Sequence, residues 1–366
     1  MPRNDFRIAI VGAGGIGCAT AAYLRASGLP VAMWSPTGRR LRPHAEPGRA
    51  RFDCVGALEG AVAVERLARL ADLSDYSHVF ICLPASQYRQ VLQDAAPYWR
   101  DGQTLIVSGA LSLLPLWLRR TAAAHGADVT AVGWSTTLTT AHFLPDGRLH
   151  LNAPRGQIGM AWLAPSEGGG DALADCRTLF GDRFTPVDNL LASTLANINP
   201  IAHAAEVIPN LTRMDRGEAW PLFGHFTGVV ANMAQALDGE RLALAGALGF
   251  TLPTLAQHYS RSYHVPLGPL EDIARAIDAR GAGPLGPARL AHRYVLEDVP
   301  FGLVFQERLA RLLGIDCPLL SACITLLEAV YAESFRDRND LLAALLPDGM
   351  SAEALVAACR SACAAS

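Results

Sequence analysis

The sequence predicts an α/β chain of two domains, a parallel-sheet domain over residues 1–186 and an all-α domain over residues 187–366. Three observations carry that reading. A short apolar strand runs directly into the glycine loop Gly12-Ala13-Gly14-Gly15-Ile16-Gly17, and further β-rich runs alternate with helical or irregular stretches. Beyond about residue 187 the apolar spacing turns almost wholly helical.

The first unit reads as a strand over Arg7 to Val11, the glycine loop, a helix from about Ile16 to Ala26 closed by Gly28, and a second strand over Val31 to Trp34. A GxGxxG string at that place in a βαβ unit allows a tight turn, close approach of backbone to a pyrophosphate, and close helix packing. Gly12, Gly14, Gly15 and Gly17 are therefore candidate dinucleotide-binding positions, and the domain is expected to be of the Rossmann type. The competing reading is a merely structural glycine turn.

The end of the second strand selects the dinucleotide. An NAD site places Asp or Glu about 20 residues on, to bond the ribose 2′-hydroxyl. Here the segment is Met33-Trp34-Ser35-Pro36-Thr37-Gly38-Arg39-Arg40, with no carboxylate. Ser35, Thr37, Arg39 and Arg40 suit a 2′-phosphate held by charge-assisted hydrogen bonds, so the expected cofactor is NADP(H). Arg39 and Arg40 as mere surface-turn charges is the alternative.

Further strands are expected at Val79 to Leu83, Thr104 to Ser108 and Val129 to Trp134, extending a parallel sheet whose carboxyl ends line the ligand crevice. That brings Leu83-Pro84-Ala85, with Pro84 as a cofactor contact, and Gly133 to Thr137 toward the nicotinamide, although Trp134 reads equally well as sheet core. Leu149 to Leu151 and Ile158 to Leu163 look like a hairpin. Glu167-Gly168-Gly169-Gly170-Asp171 reads as a surface loop or hinge, and the domain boundary fits better near Pro186 to Asn189.

The second domain opens on Asn197-Ile198-Asn199-Pro200-Ile201-Ala202-His203, with Asn199 as helix cap and Pro200 as first helical residue. Ile201, Ala204, Ala205 and Ile208 form the apolar stripe, and His203 projects to the other side at about 100° per residue. That leaves His203 a proton-transfer candidate or a solvated surface histidine. Helices are expected at Gly228 to Leu248, Leu270 to Ala279, Phe301 to Leu313 and Leu319 to Ser334, separated by Pro- and Gly-rich turns such as 281–287, with an Ala-rich C-terminal packing helix.

Composition excludes several function classes. With 51% hydrophobic and 18% charged residues and a net charge of -3, nothing draws the 366-residue chain toward nucleic acid or an anionic membrane. No apolar run reaches signal-peptide or membrane-spanning length, so a cytoplasmic small-molecule protein is expected. Eight scattered cysteines without a CxxC pair suggest neither zinc nor a disulfide framework, and no metal site is expected. All 31 of the Lys+Arg residues are arginine. A Schiff-base lysine or an ammonium general acid is thus unavailable.

Taken together, the glycine loop, Asn197-x-Asn199-Pro200-x-x-His203 and His292-Arg293-Tyr294-Val295-Leu296-Glu297-Asp298-Val299-Pro300-Phe301-Gly302-Leu303 resemble the octopine/nopaline (opine) dehydrogenase family over nearly the whole chain. More narrowly, Trp34 to Gly38, Phe180 to Phe184, Asn210 to Trp220 and Asn339 to Leu342 are similar to the opine-metallophore branch that makes staphylopine-like and pseudopaline-like products.

The resemblance implies reduction of the imine formed from a 2-oxo acid and an amine, with His203 paired to Asp298 in proton transfer. Arginine must then bind the substrate carboxylates, for which Arg213, Arg216 and Arg293 are candidates, with Asn199 and Tyr294 as further pocket residues. The branch implies an aminobutyryl amino acid, supplied by a nicotianamine-synthase-like neighbour, condensed with pyruvate or 2-oxoglutarate, and the family implies a homodimer. Ile198 and Ile201 depart from the branch pattern Asn-Leu-Asn-Pro-Gln-x-His, which puts identical substrate contacts in doubt. A simple amino acid as the amine remains an alternative. Two others are a 2-oxoacid reductase, which commonly relies on a lysine, and a non-catalytic NADP-responsive regulator.

Overall fold

The computed structural model describes residues 6–43, 45–165, 170–281 and 283–365. The chain divides into two compact units, one of Met1–Thr194 with Ala357–Ser366 and the other of Leu195–Val356. The boundary expected after residue 186 thus falls after residue 194. The last ten residues return to the first unit, a step that local pattern does not encode. There the Leu190 amide donates to the Cys359 carbonyl at 2.8 Å, and the Trp162 amide to Ser361 Oγ at 3.1 Å.

The first unit is built on one sheet. Its strands are β1 (Ile8–Val11), β2 (Val31–Trp34), β3 (Arg42–Pro43), β4 (Arg49–Gly56), β5 (Gly60–Arg66), β6 (His78–Ile81), β7 (Thr104–Val107), β8 (Thr130–Trp134), β9 (Ala141–Phe143), β10 (Leu149–Leu151), β11 (Ile158–Leu163) and β12 (Phe184–Pro186). The order is β12-β11-β8-β7-β6-β1-β2-β5-β4-β10-β9, with β3 on β4. Its parallel centre, β5-β2-β1-β6-β7-β8, has the doubly wound order whose switch point lies between β1 and β6. Ile8, Ala9, Ile10, Val11, Val79, Phe80, Leu105 and Ile106 are all buried, as a strand covered on both faces requires.

Outside that centre the sheet is mixed. β4 pairs antiparallel with β5 and β3, and β8 pairs antiparallel with β11. The expected hairpin of Leu149 to Leu151 with Ile158 to Leu163 does not form. β10 lies beside β4 and β9, whereas β11 lies between β8 and β12, so the connection carries the chain from one edge of the sheet to the other. Trp134 resolves as core, packed edge-on to Phe80 and Phe180. The expected loop Glu167 to Asp171 lies outside the described residues except at Gly170 and Asp171. Asp171 caps the Ala172–Phe180 helix, accepting from the amides of Leu173 and Ala174.

The second unit is helical. Its main members are Asn199–Val207, Gly228–Ala247, Leu255–Tyr263, Leu270–Asp278, Val304–Leu313 and Pro318–Tyr331, with the short Arg293–Leu296 helix and a π-turn over Val299–Leu303. Their apolar faces meet in one core that includes Ile201, Ala205, Trp220, Phe223, Leu237, Ile273 and Leu303. A buried ion pair fixes two of them. Arg241 Nε donates to Asp238 Oδ1 at 2.9 Å and its two Nη atoms donate to the Leu195 and Pro253 carbonyls. Asp238 Oδ2 in turn accepts the Leu255 amide at 2.7 Å. Every branch of that pair is satisfied, which is the condition under which a buried charge pair holds a structure together. Among the described residues no helix is long and apolar enough to cross a membrane.

Candidate active site

In the first unit, the fingerprint glycines occupy distinct environments. Gly12 leaves β1 at φ +112°, a conformation that strains any side-chain-bearing residue, and its amide donates to the Trp34 carbonyl at 2.8 Å. A Cβ on Gly17 would meet the Gly12 carbonyl, and one on Gly15 would lie 2.6 Å from the Ala141 carbonyl. Gly14 faces open space. The helix Gly15–Ala26 begins there with no side-chain cap, leaving its first amides and positive dipole end for an anion. These residues fit a pyrophosphate, and Pro84, exposed just after β6, stands at the switch point beside them.

Past β2, the turn closes with the Gly38 amide on Ser35 Oγ at 3.4 Å. Thr37, Arg39 and Arg40 are exposed, and the Arg40 guanidinium lies 4.7 Å from the Phe143 ring centroid. Sequence reading missed a third cation. Arg66, at the end of β5 in register with Met33, sets its guanidinium against Gly38. Strand pairing brings it there from 26 residues beyond Arg40, beyond the reach of any local motif.

In the second unit, the helix Asn199–Val207 is buried along its length, so the expectation of a one-sided apolar stripe fails. His203 is only 8% exposed, because this helix sits inside the bundle and both of its sides are covered. The cap also differs. Helix assignment begins at Asn199, and the side chain that receives an orphan amide is Asn197, whose Oδ1 accepts from the Asn199 amide at 3.1 Å.

His203 Nδ1 and Asp298 Oδ2 lie 2.7 Å apart, both side chains buried. Asp298 stands at the head of the π-turn, where Gly302 lies so close to the Pro200 ring that an added Cβ would strike it. The Asn339 side chain donates to the Pro300 carbonyl at 2.9 Å, tying the π-turn to the segment at residue 339. Tyr294 stacks flat on the imidazole, with centroids 3.4 Å apart and planes at 9°. Burial lowers the His203 pKa below its ordinary value, Asp298 opposes that through charge and hydrogen bond, and Arg293 reinforces it. Nδ1 is thereby committed to the carboxylate, and among the described residues Nε2 has no hydrogen-bond partner.

The other expected substrate residues divide. Arg293 lies close enough for its charge to act on His203. Arg213 and Arg216 are both taken up by Glu218, at 2.9 Å and 3.6 Å, on the exposed surface. A substrate carboxylate would have to compete with Glu218 for either guanidinium. Asn199 is half-buried on the first turn of its helix. Three neighbours went unread. His292 Nδ1 accepts from the Tyr294 amide at 3.4 Å and burial lowers its pKa to about 4, while Glu206 and Tyr259 are joined by a buried hydrogen bond of 3.0 Å. Glu206 follows His203 by three positions, a helical neighbour that a stripe-based reading assigned to no role. Among the described residues no cluster of His, Cys, Asp or Glu is arranged to hold a metal ion.

Comparison with known proteins gives these features their class. The model for the alpha-helical domain of NAD/NADP octopine/nopaline dehydrogenases matches residues 186–331, and that for PanE/ApbA ketopantoate reductases matches residues 8–109. An opine dehydrogenase of Arthrobacter sp. (strain 1C) is 27% identical, covering 94% of this chain and 96% of its own length. Protein ocs of Agrobacterium tumefaciens (strain Ach5) is 22% identical over 96% of this chain and 98% of its own. In fold, the chain is similar to octopine dehydrogenase solved with NADH and L-arginine, at a TM-score of 0.72 and 15% identity over 89% of this chain and 90% of that one. It is also similar to NADP+-bound yersinopine dehydrogenase, at a TM-score of 0.66 and 17% identity over 96% and 95%. The chain is an NAD(P)-dependent oxidoreductase acting on CH–NH donors. Within that class, the octopine dehydrogenase family is the one that the relatives and the helical-domain match support.

Proposed function

We propose that the protein is an opine dehydrogenase that uses NADPH to condense a 2-oxo acid, pyruvate or 2-oxoglutarate, with the amine of an aminobutyryl amino acid, giving an opine-type metallophore. The observation that carries the opine chemistry is the buried pair of His203 and Asp298 in a unit matched by the octopine dehydrogenase helical domain. When bound, the nicotinamide supplies two electrons as hydride. The overall balance is 2-oxo acid, amine, NADPH and one proton giving the secondary amine, NADP+ and water.

Asp298 accepts from Nδ1–H and so fixes the imidazole tautomer that leaves Nε2 to exchange a proton with the substrate. Desolvation lowers the proton affinity of His203 and the carboxylate restores part of it, which suits a group that must both gain and lose a proton. Tyr294 holds the ring plane, and Arg293 supplies the positive charge near the pair that a substrate carboxylate requires. Gly12, Gly14, Gly15, Gly17 and Pro84 hold the pyrophosphate and nicotinamide side of the cofactor. Ser35, Thr37, Arg39 and Arg40, with Arg66, hold the 2′-phosphate. The absence of lysine from the chain fits this scheme, which asks for none.

Likeness of the strings Asn210 to Trp220 and Asn339 to Leu342 to the opine-metallophore branch supports a metallophore product made beside a nicotianamine-synthase-like enzyme in the cytoplasm, and the family resemblance implies a homodimer. Direct reduction of a 2-oxo acid has the PanE/ApbA match in its favour, but that match ends at residue 109, ahead of the helical unit. The deciding experiment is NADPH oxidation over a grid of 2-oxo acids with aminobutyryl amino acids, simple amino acids, or no amine. Oxidation that requires an aminobutyryl amine supports the proposal. Oxidation with arginine or another simple amino acid alone would make the enzyme octopine-like, and amine-independent oxidation would make it a 2-oxoacid reductase.

A further inference from the structure

We propose that the Glu206 carboxyl is a third, positioning member of the His203–Asp298 pair, held by the Tyr259 hydroxyl and setting how readily His203 takes up its proton. The inference rests on the reading of His203 as the proton-transfer group. Glu206 lies three residues beyond His203 on one buried helix, so the two side chains leave neighbouring points of its surface. It is 3% exposed. Oε1 accepts from Tyr259 at 3.0 Å, whereas Oε2 is buried without a hydrogen-bond partner among the described residues. A buried carboxyl with one bare oxygen is destabilising, and such a group calls for a reason to be there.

Burial pushes the Glu206 pKa up to about 8, with the Asp298 charge adding to the rise and the Tyr259 bond opposing it. Tyr259, Tyr294 and Asp298 interact with it, and beyond them Tyr263 faces Tyr259 and Tyr294 while His292 and Arg293 face His203. Asp238 and Arg241, on the Gly228–Ala247 helix, are engaged with each other. At neutral pH Glu206 thus keeps its proton beside the Asp298 side chain. Removal of the Glu206 proton places a second negative charge one helical turn from the imidazole and favours imidazolium. Neutral Glu206 with neutral His203, and ionised Glu206 with protonated His203, contain the same number of protons, so the two groups titrate together. A glutamate that only anchored Tyr259 would leave the His203 titration unmoved.

The test is the titration of His203 in the full chain with isotope-labelled histidine, followed by NMR and assigned by the resonance lost in His203→Gln. Wild type should show a second inflection near pH 8, the range of Glu206. Glu206→Gln, which keeps shape and the Tyr259 contact, should abolish it. Tyr259→Phe, which removes a bond that stabilises the ionised carboxyl, should move it to higher pH. A Glu206→Gln titration superimposable on wild type overturns the proposal. If that variant does not fold, an unmoved inflection in Tyr259→Phe overturns it instead. The readout needs no turnover, so its failure is distinct from failure of the proposed function, which unchanged turnover in His203→Ala would expose.

Discussion

His203 Nδ1 and Asp298 Oδ2 lie 2.7 Å apart although 95 residues separate them in sequence. The contact orients the ring, so the two residues act as a unit. His203→Ala should lower kcat by about 10²–10⁴-fold while leaving the Kd for NADPH near wild type, because a general acid–base contributes on that scale. Asp298→Asn preserves shape but offers an amide in place of the carboxylate, and should lose a comparable factor. Stopped-flow turnover beside cofactor titration by fluorescence checks both. Normal kcat in either variant would remove the pair from the chemistry.

The cation cluster beyond β2 makes a separate prediction. Arg39→Ala with Arg40→Ala should raise KM for NADPH far more than for NADH, and Arg66→Ala should act in the same direction, since each removes a partner only for the 2′-phosphate. Equal effects on the two cofactors would refute the phosphate reading. Binding of 2′,5′-ADP measured by calorimetry gives the same answer without turnover.

Arginines offer a contrast within the second unit. Arg213→Ala and Arg216→Ala remove exposed partners of Glu218 and should change kcat/KM little, with stability altered by about 0–1 kcal/mol. Arg293→Ala removes the charge that acts on His203 and should both raise KM for the 2-oxo acid and shift the His203 titration upward. Steady-state kinetics on the three variants separates them.

What the sequence showed and what it hid follow from the range of the forces involved. The βαβ opening, the strand Val31–Trp34 and the long Gly228–Ala247 helix are specified by neighbours, so spacing revealed them. Hidden were features set by partners far along the chain. β4 alternates exposed Arg49 and Arg51 with buried Ala50 and Phe52, but its arginines masked the two-residue period. Arg66 reaches the turn after β2 only through its register with Met33. A helical wheel identifies one apolar stripe and cannot report that a bundle covers the other side, which is why His203 read as off-core and Glu206 went unassigned. The resemblance supplied Asp298, which spacing alone does not connect to His203.

Burial of Glu206 also has a thermodynamic consequence. With its pKa raised to about 8 from 4.5, the folded chain holds a proton that the unfolded chain releases across that window. Its contribution to stability is present below pH 4.5 and is lost as pH rises toward 8. Glu206→Gln should therefore gain stability relative to wild type between pH 5 and 8, a difference read at about 2–4 °C in Tm per kcal/mol. Thermal melts of both proteins across that range check it. A gap that is constant with pH, or one that narrows, would contradict the assignment.

Gly302 sets how closely the Asp298 segment approaches the helix of His203, since any Cβ there would strike the ring of Pro200. Gly302→Ala must move either the π-turn or the Asn199–Val207 helix, and overpacking of this kind is destabilising by about 1–3 kcal/mol. The displacement falls on the 2.7 Å contact itself. Loss of kcat should therefore exceed what the stability change alone produces at temperatures where the variant is fully folded. Pro200→Ala in the same chain removes Cγ, the nearer of the two ring carbons that the new methyl meets, while Cβ stays, so the double variant should recover part of both losses. Additive losses in the double variant, measured by denaturant unfolding and by turnover, would show that contact between these two residues does not position the pair.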